Sequence, residues 1–243
     1  MSLILIILIV LFGALVRTVF GFGEALVTMP LLALVGFNLQ ESTALIGALG
    51  LLVALPATIK FRAHIDFAVV RRLVTGSLFG VPVGILLIKM VDTSLVLHLL
   101  GLFLIGYGSY SLYKIFRRRS GKPRLRANGW DYLAGLISGA LGSAYNSHGV
   151  PVVIYGTLKH WPVEKLRGIL QAHFVCVGII VVVSQLASGF WTIKVVQLLL
   201  IIIPLLFIVI PFGNWLSAHV SRETLVKYIY MLLIIFGGLM FYR

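Results

Sequence analysis

Four consecutive polar side chains interrupt apolar sequence at Tyr145, Asn146, Ser147 and His148. Hydroxyl, amide and imidazole groups donate the hydrogen bonds that an oxyanion accepts. Polar groups at membrane depth are costly and mark substrate or ion pathways by default. The run therefore indicates binding of a small anion by neutral donors, and His148 could also titrate near neutral pH. The alternative is that these groups only satisfy backbone freed by a helix break.

Two ionisable residues, Arg17 and Glu24, lie in the first apolar segment. Arg17 either attracts an anion to a nearby site, or pairs with Glu24, or extends to the membrane interface. A carboxylate would repel an anionic substrate unless it were protonated or paired. Glu24 is thus a candidate proton-coupling group, with a structural partner of Arg17 or of a helix N-terminus as the alternative. Gln171 and His173, in a later segment, either face the same cavity or form interhelical hydrogen bonds.

Glu24 and the polar run lie in the two copies of a ten-residue pattern, at Gly21–Pro30 and at Gly142–Pro151. Glycine and proline interrupt helices, and a broken helix in lipid is tolerated only where protein or a water-filled cavity covers the freed backbone. Paired interruptions in corresponding positions of two halves point to the substrate site of a transporter. We therefore predict that backbone at Gly21, Phe22, Gly23, Gly142 and Gly149 also shapes the site.

The prolines of the pattern predict where helices restart. Proline is tolerated in the first turn of a helix, so we expect short helices beginning near Pro30 and Pro151, with Thr28 and Ser147 as capping groups. The start of a helix presents free N–H groups and the positive end of the helix dipole to an anion. Two such ends that converge would cradle a small oxyanion. The alternative is a kink needed only for packing.

The elements that position these residues are membrane helices. The chain has 243 residues, of which 60% are apolar and 11% charged, and its mean hydropathy is +1.08. This balance predicts an integral, multi-pass membrane protein. The uninterrupted spans of membrane length are Thr43–Ile59, Val69–Ile88, Thr93–Ile115, Gly168–Leu186, Ile193–Pro211 and Leu225–Tyr242. The two interrupted segments, Leu3–Val35 and Trp130–Leu158, are either tilted broken helices or hairpins that re-enter the membrane.

Further matches between the halves indicate an internal duplication. Pro82 and Gly84 match Pro211 and Gly213, in the same order as the two ten-residue copies. We predict an all-α polytopic helix bundle with a first repeat at 1–116, a basic cytoplasmic loop at 117–129 and a second repeat at 130–243. Each repeat opens with a broken or re-entrant helix. Hairpins would make the repeats inverted, which the loop charges favour; single crossings would make them parallel.

Charge and motif content restrict the function. The net charge is +13, and six of the basic residues lie between Arg117 and Arg126, as in a cytoplasmic loop that obeys the positive-inside rule; a nucleic-acid patch is the alternative. Metal-ligand spacing, nucleotide-binding loops and hydrolase motifs are missing from the sequence, so we expect neither an enzyme nor a cofactor. A secondary anion transporter is the leading hypothesis. The alternatives are a passive anion channel and a non-transporting scaffold.

The two copies resemble motifs of the TauE/SafE family, also called the sulfite exporter or toluene-sulfonate uptake family. The first resembles its G-x-G-G-G-x-x-x-x-P pattern at Gly21, Gly23 and Pro30, although Glu24 and Ala25 stand where glycines are usual. The second, residues 142–156, resembles a subgroup that reads roughly G-G-A-Y-N-T-N-G-P-P-V-V-I-Y-G. It departs from that pattern at Ser143, Ser147 and Val150, and at His148, which stands in place of asparagine. Trp161-Pro162 and Leu170-Gln171 also fit the subgroup.

The resemblance implies a bacterial or archaeal inner-membrane permease for sulfite, sulfonates or other small sulfur-containing or carboxylate anions. Protons and a second copy of the chain are possible partners beside the lipid bilayer. The predicted substrate-binding residues are Arg17, Gly21, Phe22, Gly23, Gly142, Tyr145, Asn146, Ser147, His148, Gly149 and Gln171. Glu24 is the predicted proton-coupling residue.

Overall fold

The computed structural model describes residues 3–117, 127–219 and 222–242, and every regular element among them is helical. Two short 3-10 helices, Arg62–His64 and Met240–Tyr242, accompany ten α-helices. The α-helices in chain order are α1 Leu3–Phe20, α2 Glu24–Leu34, α3 Leu39–Lys60, α4 Phe67–Met90, α5 Thr93–Arg117, α6 Gly129–Tyr145, α7 Gly149–Leu158, α8 Val163–Ala187, α9 Ile193–His219 and α10 Arg222–Leu239. The predicted all-α class is confirmed.

Six of the described helices are long and apolar enough to cross a membrane: α1, α3, α4, α5, α8 and α9. Five of them contain spans predicted from the sequence. The described part of the last predicted span, Lys227–Tyr242, is an apolar helical segment. Large apolar side chains on the outside of these helices, such as Phe79 at 69% and Phe207 at 78% exposure, are those expected of a lipid-facing surface.

The described residues form two compact units, each of which is described by itself. One unit contains α1, α2, α5, α10 and all but the first turn of α9, and the other contains most of α3 with α4, α6, α7 and α8. The units do not follow the chain halves, because each combines helices from residues 1–116 with helices from 130–243. The duplication and its orientation stay predictions. Residues 118–126 of the predicted basic loop lie outside the described residues.

Glycines allow α4 and α6 to pack backbone against backbone. A Cβ atom on Gly76, Gly80 or Gly84 of α4 would overlap a backbone carbonyl of α6, and a Cβ on Gly135 or Gly139 would overlap α4. Small residues at four-residue spacing let membrane helices approach closely, and dispersion contacts then hold the pair together. The α4–α6 pair therefore fixes the position of the end of α6, where the second ten-residue copy begins.

The other unit uses the same device between α5 and α10. A Cβ on Gly101 would lie 2.6 Å from the Gly237 carbonyl oxygen, and a Cβ on Gly237 would lie 2.7 Å from the Gly101 oxygen. Tyr107 of α5 packs edge-on against Tyr230 of α10, with ring centroids 5.8 Å apart. This pair and α1 surround the first ten-residue copy's helix, α2, which contacts α1, α5 and α10.

Candidate functional site

The second copy contains a three-residue break between α6 and α7, at Asn146, Ser147 and His148. Asn146 adopts the left-handed conformation, with φ 52° and ψ 22°. Its N–H donates to the Gly142 carbonyl at 2.8 Å, and the Ser147 N–H donates to the Leu141 carbonyl at 3.1 Å. These bonds satisfy carbonyls at the end of α6, and asparagine is among the few residues that enter the left-handed region readily.

The side chain of Asn146 ties the break to α3. Its Nδ2 donates to the Thr43 carbonyl oxygen at 2.6 Å, and the Thr43 hydroxyl donates back to the Ala144 carbonyl at 3.5 Å. The Oδ1 atom of Asn146 is buried and has no hydrogen bond to any described residue. Because the Thr43 carbonyl can only accept, the amide atom bonded to it must be Nδ2, and Oδ1 faces the interior of the unit.

Beside Asn146 lies a fully buried glutamine of α8. Gln185 is 0% exposed, and neither atom of its amide is hydrogen-bonded to a described residue. A Cβ placed on Gly47 of α3 would lie 3.0 Å from both Asn146 Oδ1 and Gln185 Oε1. The two amides thus converge on the same point of α3, where only glycine leaves them room.

His148 packs among aromatic rings of α8. Its ring meets Phe174 edge-on with centroids 4.7 Å apart, and the centroid of His173 lies 6.2 Å away. The His148 carbonyl accepts a hydrogen bond from the Ser138 hydroxyl at 2.5 Å. A Cβ on Gly142 would approach the His148 Cβ to 2.8 Å, so the close approach of the break to α6 requires glycine there.

Three further predicted residues are buried around this break. Tyr145 is 2% exposed, and its carbonyl accepts a hydrogen bond from the Ser147 hydroxyl at 3.2 Å. Gln171 is buried two residues before His173 on α8. His173 is completely buried, with Nε2 3.2 Å from the Ser77 hydroxyl, which also donates to the Gly135 carbonyl at 2.8 Å. His173 therefore forms an interhelical contact to α4, which was one of its two predicted roles.

The first copy contains a three-residue break between α1 and α2, at Gly21, Phe22 and Gly23. Both glycines have left-handed φ angles, 85° and 95°, a region that a residue with a Cβ enters only at a cost. The Gly21 N–H donates to the Arg17 carbonyl at 2.6 Å, which closes the last turn of α1. The turn is therefore formed by the left-handed conformation of the two glycines and not by a hydrogen bond from a side chain of the break.

Arg17 and Glu24 form a buried ion pair across the first break. Arg17 Nη1 lies 2.7 Å from Glu24 Oε1, and the residues are 5% and 8% exposed. The pairing is one of the alternatives that the sequence left open. Attraction brings the two charges together in an apolar setting, where removing either one would leave the other uncompensated.

A cavity of about 160 Å³ opens beside the first break. Its lining is mostly apolar and comes from α1, the break, α2 and α10: Val16, Phe20, Phe22, Gly23, Leu26, Ile229 and Tyr230. Phe22 and Gly23 are predicted site residues that line it, whereas the charged atoms of Arg17 and Glu24 are directed to each other. The two breaks belong to different units, and convergence of their helix ends stays a prediction.

The predicted helix starts are correct for only one of the two copies. α7 begins at Gly149, two residues before Pro151, but α2 begins at Glu24, and Pro30 lies inside it. Neither predicted cap is formed: Thr28 lies within α2, and the Ser147 hydroxyl bonds to Tyr145 instead. The left-handed Gly23 sets the start of α2, because the chain has already turned before it reaches the proline.

Sequence reasoning missed a buried carboxylate at the start of α6. Asp131 is 0% exposed, and its Oδ2 lies 2.5 Å from Arg72 Nε. Its Oδ1 lies 3.5 Å from Lys159 Nζ and accepts a hydrogen bond from the Tyr155 hydroxyl. The cluster joins α4, α6 and α7. Gln185 was also missed. Asp131 and Gln185 could have been found by the criterion that selected Glu24 and Gln171, a polar residue within an apolar segment.

Among the described residues, no group of three or more His, Cys, Asp or Glu side chains is arranged to hold a metal ion.

Comparison with known proteins gives a single finding. A family profile described as Sulfite exporter TauE/SafE matches residues 5–241, nearly the whole chain. A search of curated proteins and a search of solved structures gave no match.

Proposed function

The chain belongs to the sulfite exporter TauE/SafE family, and on this premise we propose that it is a secondary transporter of sulfite, an organosulfonate or a similar small anion. The family consists of transporters and not enzymes, and with six candidate spans the chain is a multi-pass protein of the cell membrane. We place it in a bacterial or archaeal inner membrane. One half moving against the other would give alternating access.

The observation that carries this proposal is the break at Asn146, Ser147 and His148. It separates α6 from the short apolar helix α7, and its polar side chains are mostly buried. Irregular backbone at membrane depth is tolerated where it lines a cavity, and in transporters such discontinuous helices form the substrate site. Neutral hydroxyl, amide and imidazole groups can orient an oxyanion without holding it so tightly that it cannot leave.

The direct test is uptake of radiolabelled sulfite and small sulfonates into proteoliposomes, with and without an inward proton gradient. We expect saturable uptake. Acceleration by the gradient would support proton coupling, whereas saturable uptake that is indifferent to the gradient would indicate a uniporter. Flux without saturation would indicate a passive channel. No flux of any anion would contradict transport and favour the scaffold alternative.

Asn146→Ala tests the assignment of the second break. The substitution removes the amide, including its bond to Thr43, and places alanine in a left-handed conformation, so some folded protein will be lost. We expect transport to fall more than the amount of folded protein. Thr58→Ala is the matched control, because the Thr58 hydroxyl bonds only within α3, to the Ala54 carbonyl at 2.8 Å. Equal loss of transport and of folded protein in Asn146→Ala would contradict the assignment.

Glu24→Gln tests proton coupling at the first break. If Glu24 carries protons during transport, its ion pair with Arg17 must open in the cycle, and the amide should abolish the pH dependence of uptake. Rates are normalised to folded protein, because the substitution also weakens a buried pair. An unchanged pH profile would assign Glu24 a structural role.

A further inference from the structure

We propose that Gln185 and Asn146 form one amide site beside Gly47, and that this site binds an oxyanion in its hydrogen-bearing form, such as hydrogensulfite. The inference rests on the proposed function and specifies the ionisation state of the substrate. It adds Gln185 and Gly47, which lie far from the break in sequence, to the binding residues.

The first argument is the complete burial of an amide without a protein partner. Gln185 is 0% exposed, and neither Oε1 nor Nε2 forms a hydrogen bond with a described residue. Burial of a polar group without a hydrogen bond is costly, so such groups are rare in native interiors. A ligand that donates to and accepts from the amide removes this cost.

The second argument is the fixed orientation of Asn146. Its Nδ2 is 2.6 Å from the Thr43 carbonyl, an oxygen that can only accept, so Oδ1 must be the atom that points away. Asn146 is 9% exposed, and its Oδ1 has no hydrogen bond to a described residue. A Cβ on Gly47 would lie 3.0 Å from this oxygen and 3.0 Å from Gln185 Oε1, so both amides reach one place.

The donor and acceptor pattern selects the ligand. Asn146 Oδ1 accepts only, so a ligand bound there must carry a hydrogen that it can donate. Gln185 can donate through Nε2 to an anionic oxygen and accept through Oε1. The hydroxyl form of hydrogensulfite meets both requirements, whereas the sulfite dianion and sulfonates lack the hydrogen. A buried site built for a hydroxyl rejects analogues that lack it, because its own polar group is left unpaired.

Two histidines belong to the same elements as the amides: His148 lies in the same break as Asn146, and His173 lies on the same helix as Gln185. Methanesulfonate stays anionic and carries no transferable hydrogen over the same range, so we expect it to bind more weakly, and its binding can change with pH only through groups of the protein. A change seen with sulfite but not with methanesulfonate therefore reports the hydrogen on the ligand.

The test is binding of sulfite to the purified full chain in detergent, at pH values on either side of the hydrogensulfite pKa, with methanesulfonate as the reference ligand. We expect sulfite to bind where hydrogensulfite predominates, and Gln185→Leu to weaken this binding about tenfold to a hundredfold. Gly47→Ala, which crowds both oxygens, should also weaken it. Gln197→Leu, the same change at an exposed position of α9, is the control.

Equal binding by Gln185→Leu and the wild type would overturn the inference and leave an amide pair that only stabilises the fold. A dependence of binding on sodium would also overturn it, since two amide oxygens would then coordinate a cation. Uptake by the same samples in proteoliposomes separates the two proposals. Binding without uptake would contradict transport alone, uptake that survives Gln185→Leu would contradict the amide site alone, and neither binding nor uptake would contradict both.

Discussion

The two helix breaks have the same length but are built from different chemistry. In the first, Gly21 and Gly23 make the turn by adopting left-handed φ angles, and an ion pair between Arg17 and Glu24 closes across it. In the second, Asn146 adopts the left-handed conformation, and its side chain binds the backbone of α3 at Thr43. The first turn is thus made by glycine conformation with a charge pair beside it, and the second is held by neutral hydrogen bonds.

The position of each break within its ten-residue copy also differs. The first break begins at the first residue of its copy, Gly21, whereas the second begins at the fifth, Asn146. Pro30 consequently lies inside α2, while Pro151 lies in the first turn of α7. A left-handed residue, and not the proline, decides where the helix stops. Two copies can therefore align by glycine and proline and still break about one helical turn apart.

The largest expected effect comes from breaking the ion pair at the first break. Arg17→Met leaves Glu24 as a buried carboxylate without its partner, and we expect the free energy of unfolding in detergent to fall by about 3–5 kcal/mol. The loss should shrink at acidic pH, where protonation removes the charge. Arg17→Met combined with Glu24→Leu should recover most of the stability. A double variant as unstable as Arg17→Met would contradict a direct charge pair.

Much of the fold follows from apolar runs alone. α3, α4 and α5 contain the spans predicted from the sequence and extend beyond them by a few residues at most. Lengths of uninterrupted apolar sequence determine them, because each helix satisfies its backbone internally in lipid. The start of α2 could not be derived in the same way. It depends on the φ angle of Gly23, and a glycine within a helical pattern does not reveal whether its φ is positive.

The candidate site was predictable only where its residues are consecutive. The polar run from Tyr145 to His148 stands out in apolar sequence, but single polar residues are interpretable only when their partners are known. The partner of Asn146 lies 103 residues away at Thr43, and Arg72 lies 59 residues from Asp131. These contacts depend on the close packing of glycine-lined helices, which no local pattern specifies.

A smaller effect is expected from exchanging the turn-forming residues between the breaks. A Cβ on Gly21 would have no atom within 4 Å, so Gly21→Ala changes only the conformational cost, and we expect about 1–2 kcal/mol of lost stability. Gly21→Asn should cost less, because asparagine enters the left-handed region more readily. Equal stability losses in the two Gly21 variants, measured by unfolding in detergent, would contradict a conformational origin.

At the second break, Asn146→Gly keeps the turn but loses the hydrogen bond to Thr43, so we expect the free energy of unfolding to fall by about 1 kcal/mol.

The smallest effect concerns Asp66, which lies just before α4. A hydrogen bond from Lys165 Nζ at 2.8 Å holds the pKa of Asp66 below its ordinary value, and the Val69 N–H adds a second bond. A carboxyl whose pKa is lower in the folded state contributes stability above its unfolded pKa, and this contribution is lost as pH falls below about 4. Because the pair is about one-third exposed, we expect less than about 1 kcal/mol.

Asp66→Asn should remove this acidic limb from the dependence of unfolding free energy on pH, and Lys165→Met should reduce it. A slope that is unchanged in Asp66→Asn would contradict the assignment. The variant also sharpens the comparison of the breaks. Asp66 titrates only in acid, so a pH dependence of transport near neutrality should persist in Asp66→Asn. If Glu24→Gln then abolishes this dependence, its source is the first break and not Asp66.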